Sequence, residues 1–227
     1  MTPTTELKFI ATPEKGEVSA LLIRPDGATH LLVLGHGASS NMRSPMLTTV
    51  AEHLADQNIA TFRYNFPYSE KGGGRNSQAT CTATISSAVA AARETAPDLP
   101  LLAGGHSFSG RMTSTAASEM PLEGVRGIVF FSFPLHPAGE PGITRAEHLS
   151  EVNMPMLFLS GTRDALADLD LLEPVVKNLG DKATLHLLDT ADHSFKILKR
   201  TRNTSEDVFD EMARVMREWA SGIVSGI

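Results

Sequence analysis

The sequence predicts a single α/β domain in three layers: a mostly parallel sheet of about eight strands between helices, with no lid domain. Three observations point there. Short apolar runs of strand length alternate with longer segments of helical spacing. From His30 onward most of the apolar runs are continuous, as expected of strands covered on both faces. No inserted stretch is long enough to form a separate lid, and 227 residues lie within the range that one such sheet covers, so the expected domain spans 1–227.

The elements follow in order. Glu6–Ala11 and Val18–Ile23 mix polar and apolar residues and suit an exposed antiparallel start. His30–Leu34, Ile59–Tyr64, Leu101–Gly104, Gly127–Phe131, Met156–Ser160 and Thr184–Leu188 read as the remaining strands. Pro45–Gln57, Thr80–Thr95, Gly110–Glu119, Leu169–Leu179 and Ser205–Ser221 read as helices between or after them. In the last helix Val208, Phe209, Met212, Val215, Met216 and Trp219 form one apolar stripe, which reads as core packing, and Thr204 with Asp207 resembles a capping box at its start. Two segments are irregular. Asn65–Gln78 holds three consecutive glycines but no GK[ST] ending, so it reads as a mobile rim loop rather than a phosphate cradle. The proline-rich stretch Phe133–Pro155 is too short for a lid and predicts an open, shallow site.

Composition narrows the class of function. Hydrophobic residues make up 41% and charged residues 20%, the balance of a folded globular protein. A net charge of −6 would repel a phosphate backbone, which argues against nucleic acid as a partner. The single Cys81 excludes an intramolecular disulfide and suits a reduced thiol in the cytoplasm. The N-terminal residues lack a basic start and a long apolar run, and no later segment has the length of a membrane span; the expectation is a soluble cytoplasmic protein. Nothing in the sequence sets the oligomeric state.

The segment Leu101–Arg111, LLAGGHSFSGR, carries the chemistry. An apolar run stops at two glycines and sets Ser107 in a turn of small residues, with Gly105 two before and Ser109 two after. Such a turn lifts a hydroxyl clear of the backbone. A following helix aims N–H groups at charge that develops beside it. Serine is a poor nucleophile unless a base lies within reach and a third group orients that base. His193, in TADHSF, and Asp164, in SGTRD, each follow an apolar run and are the candidates; Asp168 is a weaker competitor for the acid. The sequence GHGASS after His30–Leu34 supplies a candidate oxyanion donor in the backbone N–H of Ala38, paired with that of Phe108. His36 is expected to pin its loop through hydrogen bonds to backbone. His36, His106 and Phe133 are also candidates to line the pocket. The other histidines show no HxxxH or HxH pairing, so no metal and no cofactor is expected.

With these residues in place, the chain resembles the α/β-hydrolase superfamily, and within it the small, cap-less dienelactone-hydrolase-like members and the testis-expressed protein 30 group. The segments that carry the resemblance run from about Leu31 to Phe195: LGHGASS with MLTTVAEHLADQNIATFRYNFPY, then GGHSFSGRM, FSFPLHPAGEP, EHL, MPMLFLSGTRDALADLDLL and DHSF. The order serine, acid, histidine is the one this superfamily uses. Ser109 stands where most relatives have glycine, though serine is still small. The resemblance implies a serine hydrolase acting on small carboxylic esters or thioesters through an acyl-enzyme on Ser107. Two alternatives stay open. Some relatives look like interaction subunits, which allows a non-catalytic scaffold, and the same three residues could serve a peptidase or amidase.

Overall fold

The computed structural model describes residues 2–225. One eight-stranded sheet runs through it in the order β1-β2-β4-β3-β5-β6-β7-β8. The strands are β1 (Thr4–Thr12), β2 (Gly16–Ile23), β3 (His30–Gly35), β4 (Ile59–Tyr64), β5 (Leu101–His106), β6 (Val125–Phe131), β7 (Met156–Gly161) and β8 (Ala183–Leu188). The first two strands pair antiparallel with each other, and β2 with β4; β3 to β8 are parallel throughout. The mixed polarity of the first two runs and the continuous apolarity of the later ones have this as their cause.

Period-two side-chain alternation sorts each parallel strand between two cores. Leu31, Val33, Leu101, Ala103, Phe130 and Phe158 face one layer, while Leu32, Leu34, Leu102, Val129, Leu157 and Leu159 face the other. The first layer holds α3 (Gln78–Thr95) and α4 (Phe108–Glu119), with α5 (Leu169–Leu179) at its end; the second holds α1 (Pro45–Asp56) and α6 (Val208–Ser225). Val208, Met212 and Met216 on α6 are buried in the second core, as the stripe predicted, and Ala220 is buried beside them. Trp219 is only partly buried against that core, its ring lying where a Cβ on Gly127 would be, 2.6 Å away.

Several boundaries differ from the sequence reading, each for a local reason. α6 starts at Val208 and not at Ser205, because Asp207 is the residue that caps it: its Oδ1 accepts the Phe209 N–H at 2.8 Å. Thr204 instead closes a separate turn by accepting the Glu206 N–H. α3 begins two residues early at Gln78, where Ser77 Oγ accepts the Thr80 N–H. α4 begins at Phe108, directly after the serine turn. The irregular stretch after β4 contains a short helix, α2 (Pro67–Lys71), held by Glu70, whose carboxylate accepts from Ser19 Oγ at 2.6 Å and Asn65 Nδ2 at 2.7 Å. The proline-rich stretch contains a 3-10 segment, Thr144–Glu151, packed on α4. Neither was legible as a periodic pattern at so short a length. Among the described residues no separate lid covers the sheet, and no helix is long and apolar enough to cross a membrane.

The sheet centre tolerates no extra atoms. A Cβ on Gly104 would lie 2.0 Å from the Val129 carbonyl oxygen on the neighbouring strand. Gly104→Ala should therefore cost at least the ~1–3 kcal/mol typical of an overpacked core, read as a lower urea midpoint. Gly74→Ala, in open space on the loop, should leave the midpoint within about 0.5 kcal/mol of wild type.

Candidate active site

The loops that follow β3, β5, β7 and β8 meet at the C-terminal edge of the parallel strands. β4 and β5 lie on opposite sides of β3, so the chain reverses direction of winding there and opens a crevice. Ser107 sits in that crevice. Its backbone is left-handed, φ 53° and ψ −109°, between the last residue of β5 and the first of α4. The Ser107 N–H donates to the Phe131 carbonyl at 2.9 Å, which ties the turn to β6.

The turn is tight because two glycines make room for it. Gly35 and Gly105 are register partners at the ends of β3 and β5. A Cβ on Gly105 would come 2.1 Å from Ser109 Oγ and 2.6 Å from the Gly35 carbonyl oxygen; one on Gly35 would come 2.5 Å from Ser109 Cβ. The hydroxymethyl of Ser109 occupies that gap, fully buried, and donates to the His106 carbonyl at 3.2 Å. The departure from glycine at this position is thus accommodated by glycine opposite.

His193 and Asp164 converge on the serine. His193 Nε2 lies 2.8 Å from Ser107 Oγ, and its Nδ1 lies 2.9 and 2.8 Å from the two Asp164 oxygens. The Asp164 carboxylate is buried and also accepts the Leu166 N–H at 2.8 Å. Asp168 does something else: it caps α5 by accepting the Asp170 N–H at 3.0 Å, while its own N–H donates to His136 Nε2. Asp192 shapes the histidine loop by accepting the Ser194 and Lys196 N–H groups. The acid and histidine loops are laced together by Arg163 N–H to Ala191 O, Thr190 N–H to Thr162 Oγ1, and Arg163 Nη1 to Thr190 O. A Cβ on Gly161 would meet Ala191 O at 2.3 Å, so this approach is also set by a glycine.

The remaining sequence candidates fall in two groups. Phe108 opens α4, where helix geometry leaves an N–H without an intrahelical partner, and Ala38 lies on the half-buried loop after β3. His106 is half-buried with its ring 5.3 Å from that of His193, and its Nε2–H donates to the His193 carbonyl at 3.0 Å. His36 and Phe133 do not line a pocket. Phe133 is buried against Phe130 and Phe158 in the core, and His36 is fully buried beneath the rings of Phe66 and Tyr68. His36 pins its loop to backbone on both sides: the Phe66 N–H donates to Nε2 at 3.3 Å, and Nδ1–H donates to Gly37 O at 2.8 Å.

Burial drives the pKa of both His36 and His106 down to about 4. Both rings are accordingly neutral at pH 7, His36 in the tautomer its two bonds demand. Two residues near the site gave no sequence signal. Arg75, beyond the three glycines, holds its guanidinium 5.1 Å from the Phe108 ring centroid. Tyr68 stacks on Phe66. An aromatic pair beside a glycine run was the only trace of them in the sequence.

The comparisons with known proteins agree with this fold. The family model described as "Alpha/beta hydrolase domain" matches residues 28–221. A dienelactone hydrolase from Anabaena variabilis superposes with a TM-score of 0.72 at 20% identity, covering 96% of this chain and 98% of that one. A serine hydrolase without lid from Xanthomonas campestris gives 0.70 at 19% identity, with 99% and 95% covered. The esterase domain of a Rhodothermus marinus protein gives 0.68 at 17% identity, with 96% and 98% covered.

Two outcomes test the site's architecture. Gly35→Ala should lower stability, and Ser109→Gly in the same chain should restore part of it, since it removes the nearest clash but not the Tyr64 hydroxyl at 2.8 Å; a urea double-mutant cycle should show a coupling of about 0.5–3 kcal/mol. Because His36 is neutral when folded and titrates normally when unfolded, its contribution is complete above about pH 6.5 and is lost as pH falls toward about 4. His36→Gln should flatten the fall of the denaturation midpoint over that window.

Proposed function

The chain is a member of the α/β-hydrolase family, and from that membership we propose that it is a serine hydrolase acting on small carboxylic esters or thioesters. The observation that carries the reading is the unbroken contact from Asp164 through His193 to Ser107, each step within 2.9 Å. Ser107 attacks the carbonyl carbon while His193 takes its proton at Nε2. The tetrahedral oxyanion is met by the N–H groups of Ala38 and Phe108. His193 then protonates the leaving alcohol or thiol, and the acyl-enzyme is cleared by a water that His193 deprotonates. Asp164 keeps the imidazole in the tautomer with Nδ1 protonated and stabilises it when charged. His106, neutral and bonded to the His193 carbonyl, holds the histidine loop without competing for the proton.

An ester or thioester is favoured over a peptide because an amide leaving group would demand more of His193 as an acid. The lone Cys81, with its thiol pushed up to about 11 by burial, is an unreactive core residue and suits the reducing cytoplasm.

A fluorophosphonate probe should label the wild-type protein, and Ser107→Ala should abolish the labelling. Labelling retained in that variant would exclude Ser107 as the nucleophile, whereas none in wild type together with no turnover of a p-nitrophenyl ester series would leave the scaffold reading in its place. Asp164→Asn should keep the fold and lower kcat on the best ester by about three to four orders of magnitude, the loss expected when the orienting acid no longer fixes the tautomer.

A further inference from the structure

We propose that His53, Asp207 and Asp210 bind one divalent transition-metal ion, best matched by Zn²⁺, which fastens the start of α6 to the end of α1. The site lies in the helix layer opposite α4 and does not depend on the hydrolase reading.

The three residues come from two helices far apart along the chain. His53 is in the last turn of α1, and Asp210, 157 residues later, is in the first turn of α6. Asp207 caps α6, three residues before Asp210. One nitrogen or oxygen from each residue lies within 4.8 Å of those of the other two, and among the described residues this is the one group of three that does so. His53 Nδ1 and Asp210 Oδ1 are already in contact at 2.7 Å. Asp207 Oδ1 accepts the Phe209 N–H at 2.8 Å, and the carboxylate has lone pairs left for an ion without losing that cap. No HxxxH or HxH pairing marks the set in the sequence, because it holds a single histidine and two carboxylates that meet only when α6 packs on α1.

The imidazole is preset and the acids can adjust to it. The His53 ring lies 5.7 Å from that of Phe209, which packs edge-on against Phe195. The His53 side chain is 27% exposed and that of Asp210 56%, and Asp207 is exposed as well. Ligand atoms around a tetrahedral Zn²⁺ stand about 3.4 Å apart, so rotation of the two aspartate side chains closes the set on an ion.

The dipole of α6 accounts for carboxylates at its start, but it does not bring an imidazole nitrogen to the same point. A hydrogen-bonded pair of His53 and Asp210 needs one carboxylate; the second adds a like charge that a dication neutralises. The ion would stand between the negative end of the α1 dipole and the positive end of the α6 dipole, so the two offset each other. One imidazole with two carboxylates suits Zn²⁺ or Co²⁺ better than Mg²⁺ or Ca²⁺, which take oxygen ligands. Three protein ligands leave the fourth position to water.

Chelator-treated wild-type protein is titrated with Zn²⁺, Co²⁺ and Mg²⁺. Zn²⁺ at about a hundredfold excess over Kd should raise Tm by about 5–10 °C, and dialysis against Co²⁺ should find one ion per chain. His53→Gln and Asp210→Asn should each abolish the Tm rise and the bound Co²⁺. Asp207→Asn, which keeps a capping side chain, should weaken both and carries the test with Asp210→Asn if His53→Gln does not fold. Where Zn²⁺ precipitates the protein, the Co²⁺ dialysis decides. No saturable Co²⁺ binding at millimolar concentration overturns the proposal, as does binding that survives all three substitutions or a preference for Mg²⁺ over Zn²⁺. Variants that lower Tm equally with and without metal would reduce the contact to a His53–Asp210 hydrogen bond and also overturn it. None of these readouts involves Ser107, so the metal site and the hydrolase reading stand or fall separately.

Discussion

The closeness of two strand ends is the constraint on which the site depends. Gly35 and Gly105 face each other in register at the tips of β3 and β5, and neither has room for a side chain. Their approach brings the loop after β3 beside the first turn of α4. Ser107 pays for the sharpness of that turn with a left-handed backbone that a non-glycine residue adopts at a cost of about 1–2 kcal/mol. The cost is offset locally by the bond to Phe131 O and by α4, which starts without delay after the turn. The same strain that makes the turn unfavourable holds the hydroxyl out of the sheet.

The second constraint is the distance between β7 and β8 at their C-terminal ends. Asp164 and His193 lie on separate loops, yet their contact requires placement to a fraction of an ångström. Bonds from Thr162, Arg163 and Thr190, together with the absence of a side chain on Gly161, fix one loop on the other. His106 extends the chain of positioning from the serine turn, reaching the His193 carbonyl with one nitrogen while the other faces Gly37, whose Cβ would lie 3.0 Å away. Serine, histidine and the loop after β3 are thereby held by one neutral imidazole. Its neutrality matters, since a cation there would repel a charged His193.

The sequence made the sheet legible because the parallel strands are buried on both faces and so appear as continuous apolar runs. The serine turn, the acid and the histidine were legible because each stands just past such a run. The same reasoning failed where side-chain direction decides. His36 and Phe133 flank the site in sequence, but β3 and β6 turn them inward, so they fill the core. The start of α6 was misplaced because Thr204 and Asp207 both have cap chemistry, and only the chain path selects between them. Arg75 could not be anticipated at all: its place over Phe108 depends on α2, five residues anchored by Glu70 to β2 from a distant part of the chain.

An open crevice constrains how a substrate can be held. Without a lid, little of a small molecule is removed from water, and apolar burial at roughly 25 cal/mol per Å² supplies only modest binding. Orientation must then come from a few directed polar contacts, because a carbonyl misplaced by an ångström from Ser107 Oγ loses most of its reactivity. Charged contacts in such a place retain strength when they sit on a low-dielectric wall, which the rings of Phe66, Tyr68 and Phe108 provide. The same openness that limits apolar burial would leave water free to reach the acyl-enzyme proposed on Ser107, so weak apolar binding and ready hydrolysis share one structural cause.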